Sequence, residues 1–160
     1  MFRLYWFYYV WQAGIDPPYI LVAHSIGGLE AAMFTANYKN NVQGVVLLDC
    51  TSPEIMLSYK NSVPLLNRLF PAMRTVGLLR LINAKEAAEK PFPPDIPVSM
   101  IVAVQPGDEN YPQYQEFMER QAAWVNQLEK GRLYTLTGRH YIHHYAPDDI
   151  CDIIISMAQR

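Results

Sequence analysis

The strongest constraint on this chain is one stretch of ten residues, Tyr19–Gly28, which reads YILVAHSIGG. The apolar run 19–23 predicts a short, fully buried strand, and a helical pattern begins after the two glycines. Ser25 therefore lies on a tight turn between a strand and a helix. A serine at such a turn adopts a strained backbone conformation that costs about 1–3 kcal/mol and requires small neighbours. Ala23 and Gly27 meet that requirement.

The alternative for Ser25 is an ordinary cap at the start of a helix. A cap does not require small residues on both sides of the serine, whereas a strand-to-helix turn that exposes a nucleophile does. Gly27 and Gly28 also let the new helix pack close to the strand. We therefore interpret Ser25 as a candidate nucleophile.

The composition indicates a globular protein with one core. The chain has 160 residues, of which 51% are hydrophobic and 18% charged, and its net charge is −2. This charge gives no electrostatic reason to expect nucleic acid as a partner. No apolar run reaches the roughly 18 residues that a membrane span needs.

Cys50 and Cys151 lie in apolar surroundings without metal-ligand spacing, so we expect two buried free thiols, which suit a reducing cytoplasm.

The first segment, residues 1–14, is dense in aromatic side chains. Its apolar residues would share one face of a helix that ends at Gly14. The segment is too short to span a bilayer and has no clear small-residue cleavage site, so it is a poor signal peptide. We expect a packing helix, with contact to a membrane surface as the alternative.

Strands and helices alternate along the rest of the chain. Apolar runs at 45–48 and 98–104 predict two further strands, and 132–136 is predicted as the fourth. Runs that are apolar on both faces are typical of a parallel sheet covered by helices. Residues 53 to about 83 are strongly apolar and predicted to be helical, with interruptions at two prolines and a glycine, and a charged stretch and a stiff proline-rich link follow up to residue 94. We interpret 53–94 as a helical lid insertion over the strand ends.

A serine nucleophile needs a base that takes its proton and a third group that orients the base. His140 follows the fourth predicted strand, so its loop can reach the same rim of the sheet as Ser25. His24 precedes the serine on a sharp turn, where neighbouring side chains point in different directions, and we expect it to support the turn. His143 and His144 are expected at the loop surface, and one of them is the second choice for the base.

Two aspartates are candidates for the orienting acid. Asp49 ends the second predicted strand, so its carboxylate would emerge at that rim from a rigid element. Asp108 follows the third strand in a Pro-Gly-Asp turn, where aspartate is also an ordinary turn residue. Both lie between Ser25 and His140 in the chain. We favour Asp49 and keep Asp108 as the alternative.

The stretches at 18–28, 45–53 and 139–147 together resemble the carboxyl-terminal half of a bacterial α/β-hydrolase of the esterase- and lipase-like type with a helical lid. The resemblance covers nearly all of the chain from about Ala13. It implies a single partial domain with a truncated α/β-hydrolase fold of about four parallel strands flanked by helices. Members with an aspartate nucleophile, such as haloalkane dehalogenases and epoxide hydrolases, are disfavoured by the serine at position 25.

The resemblance also implies a chemistry. Ser25, an aspartate and His140 would form a triad that cleaves carboxylic esters, or similar small apolar acyl substrates, through an acyl-enzyme. The backbone N–H of Ile26 would be one donor of the oxyanion hole. No metal and no organic cofactor are implied.

The chain departs from the family pattern before the serine. In the family, several strands precede the nucleophile, and a loop after one of them supplies the second oxyanion donor. Here Ser25 comes almost at the start, no His-Gly-Gly-type stretch precedes it, and Ala23 replaces the usual first glycine of the turn. Half an oxyanion hole is therefore expected. The alternative function is an impaired or inactive remnant that binds or self-associates through the exposed edge of the first strand.

Overall fold

Four parallel strands form one sheet in the computed structural model, which describes residues 12–58 and 74–159. The strands follow one another in chain order, and register pairs such as Ala23 with Leu47 and Leu48 with Ile101 align their carboxyl ends at one edge. This architecture confirms the predicted parallel sheet. Its strands are β1 (Tyr19–His24), β2 (Val42–Leu48), β3 (Val98–Val104) and β4 (Gly131–Thr137).

Helices connect the strands and cover both faces of the sheet. Pro147 begins the last helix, where its fixed φ and missing N–H are tolerated. Three short 3-10 turns are described at Lys39–Asn41, Asp108–Asn110 and Ile142–His144. The helices are α1 (Gly27–Asn37), α2 (Pro53–Ser58), α3 (Arg74–Glu89), α4 (Pro112–Asn126) and α5 (Pro147–Ala158).

The sheet separates two hydrophobic cores. On one face, Leu29 of α1 and Val125 of α4 pack with β-strand residues such as Met100. On the other face, Ile153 of α5 packs against residues such as Ile101. Successive strand residues point to opposite faces, so strands that are apolar throughout supply both cores at once.

Two burial predictions are wrong. The first strand is only partly buried, and the side chain of Val22 is 49% exposed, because β1 has one neighbouring strand, β2, among the described residues. Cys151 is exposed, because it lies on the outer side of α5, whereas Ile150 and Ile153 of the same helix face the core. Cys50 is buried and both thiols are free, as predicted.

Two segment predictions fall partly outside the described residues. The aromatic amino-terminal helix is predicted over residues 1–14, and the structure does not describe residues 1–11. Residues 59–73, in the middle of the predicted lid, also lie outside the described residues. Within α3, Ala84 and Ala87 belong to the same core as Leu29. The role of 53–94 as a lid stays a prediction. None of the helices in the described ranges is long and apolar enough to cross a membrane.

Candidate active site

Ser25 occupies the turn between β1 and α1 with a backbone φ of 57°. This left-handed conformation is uncommon for a residue other than glycine, and its cost requires the surrounding structure to hold it in place. The N–H of Ser25 donates to the carbonyl of Leu48 at 3.1 Å, and its own carbonyl accepts from Thr51 at 3.1 Å. The turn is therefore fixed by backbone bonds to the end of the neighbouring strand.

Asp49 follows β2 in the same kind of conformation, with a φ of 45°. Its N–H donates to the carbonyl of Ile101 at 2.7 Å, and only 3% of the residue is exposed. Aspartate tolerates the left-handed region better than most residues, which suits this turn. Ser25 and Asp49 thus leave adjacent strands at the same edge of the sheet.

His140 lies between these two side chains. Its Nε2 is 2.9 Å from Oγ of Ser25, and its Nδ1 is 2.8 Å from Oδ2 of Asp49. An ionised carboxylate can only accept, so Nδ1 carries the hydrogen and donates it to Asp49. Nε2 is then the acceptor for the hydroxyl of Ser25. The three predicted residues form one continuous line of hydrogen bonds.

The second oxygen of Asp49 is held from the opposite side. Oδ1 accepts from the N–H of Ala103 at 3.3 Å and from the amide nitrogen of Gln121 at 3.2 Å. Gln121 is fully buried, and its amide nitrogen also donates to the carbonyl of Cys50 at 3.0 Å. In the sequence, Gln121 lies at helical spacing with the apolar residues Phe117 and Trp124, which gives it no predicted role in the site. The one available signal was a polar side chain among these apolar residues.

A protein-family model for the α/β-hydrolase fold matches residues 4–97. The chain belongs to this family. Among curated proteins, an uncharacterized protein of Bacillus subtilis, YbdG, is 24% identical over 198 aligned positions, which take in 93% of this chain and 60% of the relative. An uncharacterized protein of Schizosaccharomyces pombe is 36% identical over 63 residues, or 39% of this chain and 11% of that protein. The chain thus spans less than two thirds of the length of these relatives.

Solved structures share the fold at low sequence identity. One is MGS-MChE2, an α/β-hydrolase enzyme from the metagenome of lagoon sediments, which is 18% identical with a TM-score of 0.62 over 97% of this chain and 67% of that one. Another is the monoacylglycerol lipase of Paleococcus ferrophilus, which is 15% identical with a TM-score of 0.60 over 98% of this chain and 74% of the lipase. At these identities the likeness describes the fold alone.

The alternative acid of this α/β-hydrolase chain, Asp108, has a different partner. Its Oδ2 accepts from the backbone N–H of Gln105, so the carboxylate closes its own turn after β3. Nearby Tyr114 donates from its hydroxyl to the carbonyl of Ala103 at 3.1 Å. Burial raises the pKa of Tyr114, and the negative charges of Asp108 and Asp49 raise it further. The carboxylate that the structure brings to His140 is that of Asp49.

His24 takes a position that the sequence did not predict. Its Nε2 lies 2.7 Å from the backbone carbonyl of His140, and the two rings are 4.6 Å apart. A carbonyl can only accept, so Nε2 of His24 is the donor. The rings of Tyr141 and His143 lie 5.3 and 5.1 Å from that of His24. His24 therefore connects the turn that carries Ser25 to the loop that carries His140.

His143 and His144 lie in the 3-10 turn after His140, where both are exposed. Their rings are 4.4 Å apart. Partial desolvation lowers the pKa of His143, and the neighbouring His144, His24 and His140 lower it further. In the described ranges no group of three or more histidine, cysteine or acidic side chains could hold a metal ion.

The two glycines after the serine have different surroundings. A Cβ at Gly28 would lie 2.7 Å from Cβ of Cys50, so α1 approaches the loop after β2 closely at this residue. A Cβ at Gly27 would meet nothing nearer than Cβ of Ala23 at 4.0 Å. The N–H of Ile26 has no hydrogen-bond acceptor within 12–58 or 74–159.

Proposed function

We propose that this protein is a serine hydrolase that cleaves carboxylic esters or similar small apolar acyl substrates through an acyl-enzyme. The single observation that carries the proposal is the line of hydrogen bonds from Ser25 through His140 to Asp49, with lengths of 2.9 and 2.8 Å. A nucleophile, a base and a group that orients the base are the minimum that this chemistry requires.

In the first half of the proposed reaction, Oγ of Ser25 attacks the ester carbonyl carbon while Nε2 of His140 takes the hydroxyl proton. The carbonyl oxygen becomes an oxyanion. When the intermediate collapses, the bond to the leaving alkoxide breaks, and His140 returns the proton to it as the alcohol departs. In the second half a water molecule repeats the attack on the acyl-enzyme. This releases the acid and restores Ser25.

Asp49 has a defined role in this scheme. The proton transfer makes His140 a cation, and the buried carboxylate of Asp49 stabilises that cation at 2.8 Å. Its hydrogen bond also keeps the hydrogen of the neutral imidazole on Nδ1, so that Nε2 is available to Ser25. We assign Asp49, in preference to Asp108, as the acid.

The N–H of Ile26 is proposed as one oxyanion donor. It belongs to the residue after the nucleophile, at the start of α1, and it is unpaired within the described ranges. The positive end of a helix favours a negative charge at this place. Removing one donor from an oxyanion hole typically lowers kcat by about 10²–10³. The rate will therefore depend strongly on which further donors accompany Ile26.

The substrate class is supported by the surroundings of His140. The neighbouring Tyr141 is 60% exposed, and its ring lies 5.5 Å from that of His140. An exposed aromatic ring beside the base favours an apolar group on the substrate. Among proteins with a similar fold are a monoacylglycerol lipase and an esterase from a marine microorganism. We therefore propose small apolar esters as the first substrates to test.

A fluorophosphonate probe tests the nucleophile directly. We expect the probe to label the folded protein once, and mass spectrometry to locate the adduct on Ser25. Ser25→Ala should abolish labelling. Ser156→Ala, on the exposed side of α5, should label like wild type. Folded protein that takes up no probe would contradict the proposal, as would an adduct that survives Ser25→Ala.

A second candidate is a binding or association module built on the same fold. It is favoured by β1, which in the described part of the chain pairs with β2 alone and exposes Val22. A strand with one free edge can pair with a second copy. We expect such a module to associate with rising concentration in light scattering, and Val22→Lys to weaken association. A monomer at high concentration that hydrolyses esters through Ser25 would contradict it.

A further inference from the structure

Gln121 is the polar residue of α4 that contacts Asp49. It lies 72 residues from Asp49 in the chain, and its amide nitrogen donates to Oδ1 of Asp49 at 3.2 Å and to the carbonyl of Cys50 at 3.0 Å. An amide nitrogen carries two hydrogens, so each serves one of these acceptors. One buried side chain thereby holds both the carboxylate of Asp49 and the backbone of the residue that follows it.

The orientation of this amide follows from its partners. A carboxylate oxygen and a carbonyl oxygen both accept, so only the nitrogen end of the amide can face them. The opposite end, Oε1, is buried and has no hydrogen-bond partner among the described residues. An unpaired buried acceptor destabilises a fold. Packing alone would be better served by an apolar side chain such as Met, so packing does not explain a glutamine here.

The hydrogen bonds of Asp49 explain how a donor such as Gln121 can fix the orientation of the carboxylate. The terminal torsion of an aspartate is broad, so a carboxylate with one bond can rotate or tilt away from its partner. Oδ2 of Asp49 has His140 as its partner, and Oδ1 is held by Ala103 from β3 and by Gln121 from α4. Donors from two different elements therefore fix the carboxylate plane that Nδ1 of His140 meets.

We propose that Gln121 is a positioning residue, which holds the carboxylate of Asp49 in the orientation that Nδ1 of His140 requires. The inference rests on the proposed function for its catalytic consequence, and on the contacts of Asp49 for its structural part. Gln121 lies behind the aspartate and acts through it.

Two variants remove this donor in different ways. Gln121→Met keeps a similar volume without any hydrogen bond, and Gln121→Asn keeps an amide but withdraws it by one methylene group. The readout is the ¹H NMR resonance of the Nδ1 proton of His140, measured without substrate. A proton held against a carboxylate resonates at low field and exchanges slowly with water. We expect both variants to move this resonance to higher field and to speed its exchange.

Turnover of a p-nitrophenyl ester gives the second readout. We expect kcat to fall by about ten- to hundredfold, by analogy with the loss found when the hydrogen-bond partner of a metal-binding side chain is removed, with KM changed much less. This loss is well below the roughly 10⁴-fold that removal of the orienting acid can cause. Asp49→Asn provides that reference.

Val125→Ala is the matched control for stability. Val125 is fully buried in the same helix, so its truncation weakens the packing of α4 without touching Asp49. We expect it to lower stability but to leave the Nδ1 resonance in place. If Val125→Ala moves the resonance as far as Gln121→Met does, the role of Gln121 is only structural and the inference is overturned.

The two readouts separate the inference from the proposed function. An unchanged Nδ1 resonance in folded Gln121→Met or Gln121→Asn overturns the inference whatever the turnover. An unchanged kcat in an enzyme that turns over also overturns it. If wild type does not turn over but the resonance moves in the variants, the proposed function fails and the positioning of Asp49 by Gln121 stands.

Discussion

The imidazole of His24 donates a hydrogen bond from Nε2 to the backbone carbonyl of His140 at 2.7 Å. The residue before the proposed nucleophile therefore holds the loop that carries the proposed base. This bond joins residues 116 positions apart in the chain, and the stacked ring of Tyr141 lies beside it. The distance between Ser25 and His140 thus depends on His24 as well as on their own contact.

We predict that His24→Ala lowers kcat/KM for ester hydrolysis by about tenfold, since one hydrogen bond contributes about 0.5–1.5 kcal/mol and here it positions the base. His24→Gln should recover part of the loss because its amide can donate to the same carbonyl. His144→Ala, at the exposed end of the 3-10 turn, is the control and should behave like wild type. Equal losses for His24→Gln and His24→Ala would refute this account.

Substitution of the candidate acid Asp49 should have a larger effect on kcat than substitution of His24 or of Asp108. We predict that Asp49→Asn lowers kcat by up to about 10⁴, because the amide cannot replace the charge that stabilises the His140 cation. Asp108→Asn should cost far less, because Asp108 is bonded to the N–H of Gln105 in its own turn. Steady-state kinetics of both variants checks the assignment. Small and similar effects would show that Asp49 is not the acid.

The two glycines of the turn should differ in their tolerance of a methyl group. Gly28→Ala would place Cβ 2.7 Å from Cβ of Cys50, so we expect the free energy of unfolding to fall by about 1–3 kcal/mol. Gly27→Ala has space and should change it by no more than about 0.5 kcal/mol. Urea denaturation of both variants makes the comparison. Equal destabilisation would mean that the contact with Cys50 does not limit position 28.

The two thiols should differ in reactivity and in their effect on stability. Burial strongly raises the pKa of Cys50, and the charge of Asp49 raises it further. We predict that a thiol reagent modifies native protein only at the exposed Cys151, and modifies Cys50 only after unfolding. Mass spectrometry of labelled peptides locates the adducts.

The raised pKa of Cys50 has a consequence for stability at alkaline pH. Below the ordinary thiol pKa of about 8.5, Cys50 is neutral in both the folded and the unfolded chain and has no pH-dependent effect. Above it, the unfolded chain loses the proton and the folded chain keeps it, so stability falls as the pH rises. Cys50→Ala should make this fall shallower. Identical slopes for the variant and wild type would contradict the shifted pKa.

Local patterns in the sequence were sufficient for the fold. The strand predicted at 98–104 agrees with β3 at both ends, and the one predicted at 45–48 lies inside β2. Buried parallel strands have few polar residues, so their apolar runs can be recognised from the residues themselves. Val22 was predicted to be buried because its residue type is apolar, whereas its burial depends on how many strands lie beside β1.

The candidate site depends on longer-range relationships. Ser25 and His140 could be predicted from their places at strand ends, where parallel topology brings loops to one rim. The roles of His24 and Gln121 could not, because each depends on a hydrogen bond to a residue more than 70 positions away. A histidine beside a serine and a glutamine in a helix have many ordinary explanations. Only the folded chain shows which group each one reaches.

The backbone pairing of the first two strands continues beyond their ends, where Ser25 donates to Leu48 and accepts from Thr51. His140 joins them from a loop that follows the fourth strand. The long chain segments between these groups must form closed loops before the groups come into contact. Loop closure costs conformational entropy, so we expect these contacts to form late in folding. During refolding, the capacity to react with a fluorophosphonate should therefore appear after most of the helical signal has returned. The time at which this reactivity returns would therefore report when the sheet is complete.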